Sequence, residues 1–242
     1  MELVSLHPFD PDIARQYVSA LTGERAPEVA WQSWWREDLP GALEQMESGK
    51  EVAANQISLG LAWALAGVHP SFVRKGFGLS VWEARVDRGV GMLMRPPSRL
   101  FIDAGLDRHA LQIMPIRLDL QGGMMGGAFV PARLMDNLAE LLDAKLERMA
   151  KRLHDAENDP FAMLDLMQRA VDYAREHGLG LFEAQDAVGS AQVQGMRLVE
   201  AADRKRMDPE MRQRIQVAIT PEKGPGFFSR FFRRDHDGGN GN

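Results

Sequence analysis

Residues 77–120 read FGLSVWEARVDRGVGMLMRPPSRLFIDAGLDRHALQIMPIRLDL, and their apolar side chains follow a shorter period than those on either side. In MPIRLDL (114–120) every second side chain is apolar, which is the period of a strand with one buried face. The runs VGMLMR (90–95) and RLFID (99–103) are joined by Pro96, Pro97 and Ser98, which predicts a β-hairpin. The segment therefore predicts a small antiparallel sheet of three to four strands.

Helical spacing surrounds this segment on both sides. Asp10 followed by Pro11 is typical of a helix N-terminus. The apolar run Val52–Val68 predicts a central buried helix, because it is shorter than the roughly 20 apolar residues that a membrane span needs. Further helices are expected after residue 130. They begin at Pro131, at Pro160 after Asp159, near Leu181 (ending near Arg206), and at Pro209 after Asp208.

These segments together predict an α+β fold that is mainly helical, with a small antiparallel sheet in the middle of the chain. We expect a single globular body over residues 1–219, with helices in 1–76, the sheet in 77–120 and helices in 131–219. Residues 220–242 are expected to form a flexible C-terminal tail, because they are rich in Gly, Pro and polar residues.

Composition limits the chemistry that the chain can perform. It is 45% apolar and 26% charged, as in ordinary folded proteins. It contains no cysteine, which excludes thiolate catalysis, disulfides and cysteine-based metal sites. The first residues show no basic stretch followed by an apolar run, so we expect a cytoplasmic protein. Its net charge of −5 is uneven, because residues 201–234 carry nine Lys or Arg against four Asp or Glu.

The tail contains one basic and aromatic cluster. Thr220–Gly226 reads as a linker, and FFSRFFRR (227–234) follows it. On a helix the four rings would share one side, with the arginines around the rest. The residues expected to dock are Phe227, Phe228, Arg230, Phe231, Phe232, Arg233 and Arg234.

Such a cluster has several destinations. Its rings fit the interfacial zone of an anionic membrane, where arginines meet headgroups. They also fit a hydrophobic groove on a partner protein, on this protein or on a second copy of it. We therefore expect a non-enzymatic interaction or scaffold protein that sits peripherally at a membrane or on a partner; an inert tail with an accidental cluster is the other reading. Three arginines on an acidic protein make too small a footprint to favour nucleic acid.

The alternative function is an enzyme or ligand-binding protein with an anion site at GGMMGG (122–127). A glycine-rich connection from a strand to a helix can point backbone N–H groups at an anion. The residues of that site are Gly122, Gly123, Gly126, Gly127 and Arg133. Arginines of the predicted sheet would line the same surface, or simply form a solvated mixed-charge face. They are Arg85, Arg95, Arg99 and Arg117.

No residue pattern points to a particular reaction. None of the six histidines stands at a recognised metal-ligand spacing from a carboxylate, and no nucleophile motif of the Gly-x-Ser-x-Gly kind is present. His154 and Glu157 reverse the order found in di-iron bundles and are typical of a helix end. The sequence therefore assigns no catalytic residue, cofactor or metal, and leaves open an enzyme whose residues meet only in the fold.

Overall fold

The computed structural model describes residues 3–32, 35, 39–47, 51–75, 78–79, 82, 85–106, 126–185, 187 and 196–220. These residues form one five-stranded sheet with helices on both faces. The strands are β1 (Leu3–Phe9), β2 (Ser71–Lys75), β3 (Gly126–Val130), β4 (Gly180–Gln185) and β5 (Leu198–Glu200). Their order across the sheet is β3-β4-β1-β2-β5, and all neighbours are antiparallel except β5, which runs parallel to β2.

The helices occupy most of the remaining described chain. Those whose bounds fall within the described residues are α1 (Pro11–Leu21), α2 (Leu39–Glu47), α3 (Glu51–Ala66), α4 (Arg88–Leu93), α5 (Pro97–Asp103), α6 (Met135–Ala144), α7 (Leu146–Asp155), α8 (Pro160–Glu176) and α9 (Pro209–Ile219). Short 3-10 turns lie at Val29–Trp31 and Ala132–Leu134. The mainly helical α+β class is confirmed.

The position of the sheet was predicted wrongly. Both expected hairpin strands are helices, α4 over Arg88–Leu93 and α5 over Pro97–Asp103. Their apolar runs are too short for periodicity to separate helix from strand, and the local caps decide. The Asp87 side chain accepts a hydrogen bond from the backbone N–H of Gly89 at 2.7 Å, and a proline begins α5. The expected strand at 114–120 lies outside the described residues.

The helix expected from Leu181 to Arg206 is also absent from its described parts, where β4 and β5 lie instead. β4 has the sequence GLFEAQ, and the side chains from Leu181 to Ala184 are all buried. A strand buried on both faces loses the apolar-polar alternation that identifies strands in sequence. β1 was not predicted as a strand for the same reason, because nearly all of its side chains are buried. The sheet therefore has five strands rather than three to four, and it is mixed rather than purely antiparallel.

Two apolar clusters lie on opposite faces of this sheet. The first gathers side chains of α1, α2 and α3 against Phe182 and Ala184 of β4. The second gathers α6 to α9 against Leu6 of β1 and Leu181 of β4. Alternating residues of the same strands thus serve both clusters. Among the described residues, no helix combines the length and the apolar character needed to span a membrane.

Candidate functional site

Polar side chains from four distant parts of the chain meet at one end of the strands of the sheet. Asp10 ends β1 and caps α1, and His69 lies in the turn between α3 and β2. Because β1 and β2 are antiparallel, the end of one and the start of the other lie together. Tyr173 lies in the last turn of α8, and His177 directly follows the helix. Because the two residues are four positions apart, they lie on the same face. With Arg197, just before β5, these residues form what we call the histidine cluster.

The imidazole of His69 lies at the centre of the histidine cluster. Its Nδ1 is 3.4 Å from the Tyr173 hydroxyl, and its Nε2 is 3.6 Å from Oδ2 of Asp10. The Tyr173 ring stacks on His177 with centroids 4.0 Å apart, and Arg197 donates to the Val68 carbonyl at 2.8 Å. The Nε2 atom is buried and has no hydrogen-bond partner among the described residues.

Burial sets the charge state of His69. Removal from water lowers the pKa of its imidazole below the ordinary value, the Asp10 carboxylate partly offsets this, and His177 and Arg197 add to the lowering. His69 is therefore mostly neutral at pH 7. An Asp-His-Tyr series of this kind can exchange protons in the range where histidine titrates. Within the described ranges, no three His, Asp or Glu side chains are placed to hold a metal ion.

A second feature is a cleft between α8, β5 and the segment that leads to α9. Its volume is about 630 Å³, within the range of small-molecule sites. The lining residues are Asp165, Gln168, Arg169, Asp172, Glu200, Ala201, Ala202, Asp203, Arg206, Asp208 and Met211. Five carboxylates against two arginines make this acidic cleft unsuited to anions.

The walls of the acidic cleft are held together by hydrogen bonds. Asp165 is buried and accepts from the backbone N–H of Ala202 at 2.8 Å. Arg169 donates to the carbonyl of Glu200 at 2.8 Å. These contacts attach the segment after β5 to α8.

A third polar group lies inside the sheet. His7 of β1 is fully buried, with Ser71 Oγ 3.1 Å from its Nδ1 and Ser5 Oγ 2.9 Å from its Nε2. Ser5 donates its own proton to the carbonyl of Ala184 at 3.2 Å, so it accepts from Nε2, and Nδ1 accepts from Ser71. Burial lowers the pKa of His7 to about 3. The imidazole is therefore a neutral link between strands.

The residues of the expected anion site are only partly described. Gly126 and Gly127 belong to β3, and Gly126 pairs with Ala184. Arg133 is exposed in the 3-10 turn that follows Pro131. Gly122 and Gly123 lie outside the described residues. The described half of GGMMGG is thus part of a strand, and no α-helix begins directly after it.

The arginines assigned to the predicted sheet lie elsewhere. Arg95 forms an isolated bridge with Phe129, and its guanidinium donates to the carbonyls of Met92 and Met94. Arg99 pairs with Asp103 at 3.2 Å along α5. Arg85 is exposed, and Arg117 lies outside the described residues.

The docking residues of the tail, from Phe227 to Arg234, also lie outside the described residues. The structure does describe the helix that leads to them. Arg214 of α9 donates to Glu147 of α7 at 2.6 Å and to the carbonyl of Asp143 at 2.7 Å. The hydrogen bonds from Arg214 hold the pKa of Glu147 below its usual range. α9 is therefore attached to the body close to the start of the tail.

Sequence reasoning missed the histidine cluster and the His7 network. Asp10 was recognised as a cap, but its proximity to His69 depends on the pairing of β1 with β2. The spacing of Tyr173 and His177 places both on one helical face, but no sequence signal indicates that His69 packs there. Comparison of the chain with protein-family models, with curated proteins and with solved structures finds no match.

Proposed function

We propose that this protein is a non-enzymatic interaction or scaffold protein that docks through residues 227–234 on a partner protein or an anionic membrane. One observation carries the proposal: four phenylalanines and three arginines occupy eight consecutive residues near the C-terminal end of the sequence. Rings of this density are costly in water, and their burial on another surface removes that cost.

The described structure supports a docking role for this end of the chain. Arg214 joins α9 to Glu147 of α7 and to Asp143 of α6, so the helix that precedes the tail has a defined place on the body. Val217, in the last turn of α9, is 68% exposed. It adds apolar surface beside the point where the tail begins.

Charge distribution also supports docking through the tail. The chain has a net charge of −5, whereas residues 227–234 carry three positive charges and no negative ones. An anionic surface therefore repels the body and attracts the tail, which would orient a bound molecule. Each arginine near such a surface contributes about 1 kcal/mol, so three together change membrane affinity by about two orders of magnitude.

Vesicle co-sedimentation of the full-length chain tests the proposal. Two variants separate the contributions, one with the four phenylalanines changed to alanine and one with Arg230, Arg233 and Arg234 changed to glutamine. We expect the parent to bind anionic vesicles and both variants to lose most of that binding. Vesicles of neutral lipid are the control, and the arginine variant should be the less salt-sensitive of the two.

The partner form of the proposal is tested with the same proteins. Sedimentation velocity over a range of concentrations would show self-association of the parent that is weaker in the phenylalanine variant. Identical behaviour of parent and both variants, on vesicles and in self-association, would contradict tail docking on a membrane or on a second copy.

The second candidate is an enzyme or ligand-binding protein with an anion site formed by the glycines of residues 122–127 and by Arg133. The register shift between Gly126 and Phe129 favours it, because a bulge beside a glycine-rich segment re-aims backbone groups. A thermal-shift titration with inorganic phosphate and nucleoside phosphates tests it. We expect stabilisation by one of these anions that Arg133→Gln abolishes, and no shift at millimolar concentration would count against the site.

A further inference from the structure

We infer that the histidine cluster is an acid-sensitive clasp, which releases residues 197–200 from the turn between α3 and β2 when His69 is protonated. This inference goes beyond the proposed function and does not depend on tail docking.

Protonation changes the balance of charge within the histidine cluster. The groups that face His69 are Asp10 from the junction of β1 and α1, Tyr173 and His177 from α8, and Arg197 from the segment before β5. While His69 is neutral, the charges of Asp10 and Arg197 balance each other. Protonation of His69 sets two positive charges against one carboxylate.

A proton on Nε2 of His69 would have no hydrogen-bond acceptor among the described residues. Nε2 of His69 is buried without a hydrogen-bond partner among the described residues, and Asp10 Oδ2, at 3.6 Å, is beyond hydrogen-bond distance. The other carboxylate oxygen of Asp10 accepts from the backbone N–H of Asp12 at 2.8 Å, which fixes the side chain as the cap of α1. A protonated imidazole therefore has only the ion pair with Asp10 at 3.6 Å, and its proton gains a hydrogen bond only if the packing around it changes.

β5 is the element that we expect to separate from the sheet when His69 is protonated. β5 has three residues and pairs only with β2 in the described sheet. It is attached near the cluster by the bond from Ser71 N–H to the Arg197 carbonyl at 2.8 Å and by Arg197 to Val68. Leu198 is 50% exposed. A short, half-exposed edge strand is the least stable part of a sheet, so repulsion at Arg197 opens it first.

The consequence lies further along the chain. Residues 201–208 connect β5 to α9 and line the acidic cleft. Opening of the clasp would loosen one wall of that cleft without unfolding the two apolar clusters.

Electron paramagnetic resonance of the full chain tests the clasp. Because the chain has no cysteine, Leu198→Cys carries a single nitroxide label on β5, and Met92→Cys, 79% exposed on α4, is the control site. We expect the mobile fraction of the label at position 198 to at least double between pH 7.5 and pH 5.0, with no such change at position 92. Far-UV circular dichroism over the same range shows whether the fold persists.

Variants of His69 and Arg197 assign the effect. In the Leu198→Cys background, His69→Gln and Arg197→Gln should each reduce the acid-induced change by half or more, and His154→Gln, exposed on α7, should leave it intact. Arg197 is exposed, so its variant is expected to fold even if His69→Gln does not. A label at 198 that is insensitive to pH, an equal response in the Arg197→Gln variant, or a change that coincides with loss of dichroism would each overturn the clasp.

Discussion

His7 contributes to stability only while its imidazole is neutral. Its two nitrogens are both hydrogen-bonded inside the sheet, and burial lowers its pKa to about 3. The unfolded chain binds a proton at an ordinary pKa of about 6.5. Because the folded pKa is the lower one, this contribution is complete above about pH 6.5 and is lost progressively as the pH falls toward 3.

The first prediction follows from the difference between the pKa of His7 in the folded and in the unfolded chain. Through His7 alone, the free energy of unfolding at pH 5 should be about 2 kcal/mol lower than at pH 7, at about 1.4 kcal/mol for each pH unit below 6.5. Urea denaturation at both pH values measures it. His7→Gln, whatever its own stability, should have a flatter pH dependence than the parent. Parallel profiles would show that His7 is not the buried group responsible.

Asp87 is a second buried ionisable residue, and its negative charge pairs with two cations. Its side chain is fully buried, with Lys145 Nζ at 3.0 Å and an Arg148 nitrogen at 3.1 Å. Burial tends to raise the pKa of this carboxyl, but the hydrogen bonds from Lys145 and Gly89 and the two cations lower it below the ordinary value. Asp87 thereby joins α4 to the junction of α6 and α7.

The second prediction is that Asp87→Asn lowers the free energy of unfolding by about 1–3 kcal/mol, because it removes a charge-assisted hydrogen bond from a buried site. Both cations remain partly exposed to water, which limits the loss. Asp136→Asn is the matched control, since it weakens the exposed pair with Arg175 and should cost less than about 1 kcal/mol. Similar costs in urea denaturation for both variants would contradict the role of Asp87.

At the scale of elements, the contact between α1 and α3 depends on a missing side chain. Tyr17 of α1 is fully buried and donates to the carbonyl of Ile57 in α3 at 2.8 Å. A Cβ atom at Gly60 would overlap the Tyr17 hydroxyl. Gly60 therefore lets the two helices approach closely, and this outweighs the usual cost of glycine within a helix.

The third prediction compares two glycines in helices. Gly60→Ala should lower the free energy of unfolding by about 1–3 kcal/mol through overpacking against Tyr17. Gly41→Ala in α2, where no atom lies within 4 Å of the added Cβ, should instead raise it by up to about 1 kcal/mol. Thermal unfolding of both variants measures the difference in sign. Stabilisation by Gly60→Ala would show that α1 and α3 do not pack as described.

Helix starts were predictable because their signals are local. The Asp-Pro pairs at residues 10–11, 159–160 and 208–209 each begin a helix, and in each case the aspartate accepts a backbone hydrogen bond. Strands were harder to recognise, because β1 and β4 are covered on both faces and carry Ser5, His7 or Glu183 among their buried residues. Such buried polar residues find partners elsewhere in the fold, as Glu183 does with the backbone N–H of Leu79, and local periodicity does not reveal these contacts.

On the scale of the whole molecule, one sheet separates two apolar clusters. Trp63 belongs to the cluster beside α3, and Trp82 belongs to the cluster beside α8. Both clusters pack against side chains of β1 and β4. Loss of either cluster would expose one face of shared strands, so we expect the two to unfold together.

The fourth prediction states this as a measurement. Urea denaturation followed by far-UV circular dichroism and by tryptophan fluorescence should give one common midpoint. Trp82→Phe removes the tryptophan reporter of the cluster beside α8, whereas Trp31, Trp35 and Trp63 still report on the cluster beside α3. The agreement between the two probes should persist in that variant. Probe-dependent midpoints would show that the layers unfold separately, and would contradict the single body expected over residues 1–219.

The sequence indicated local features of single residues in the candidate sites, but not that these residues come together. Asp10 was identified as the start of a helix and residues 52–68 as a buried helix that ends just before His69, but neither prediction indicated that the Asp10 and His69 side chains lie 3.6 Å apart. The acidic cleft draws residues from α8 and from the segment after β5, which are joined by Arg169 and Asp165. Such sites arise from contacts between segments far apart in the sequence.

Sequence alone was sufficient for the fold class, the capped helix starts, the buried helix over Val52–Val68 and the exclusion of cysteine chemistry, because each depends on composition or on neighbouring residues. Tertiary structure decided the five-stranded order, the helical state of residues 88–93 and 97–103, and the meeting of Asp10, His69 and Tyr173. Short apolar segments fit either a helix or a strand, and the choice is made by long-range hydrogen bonds and burial.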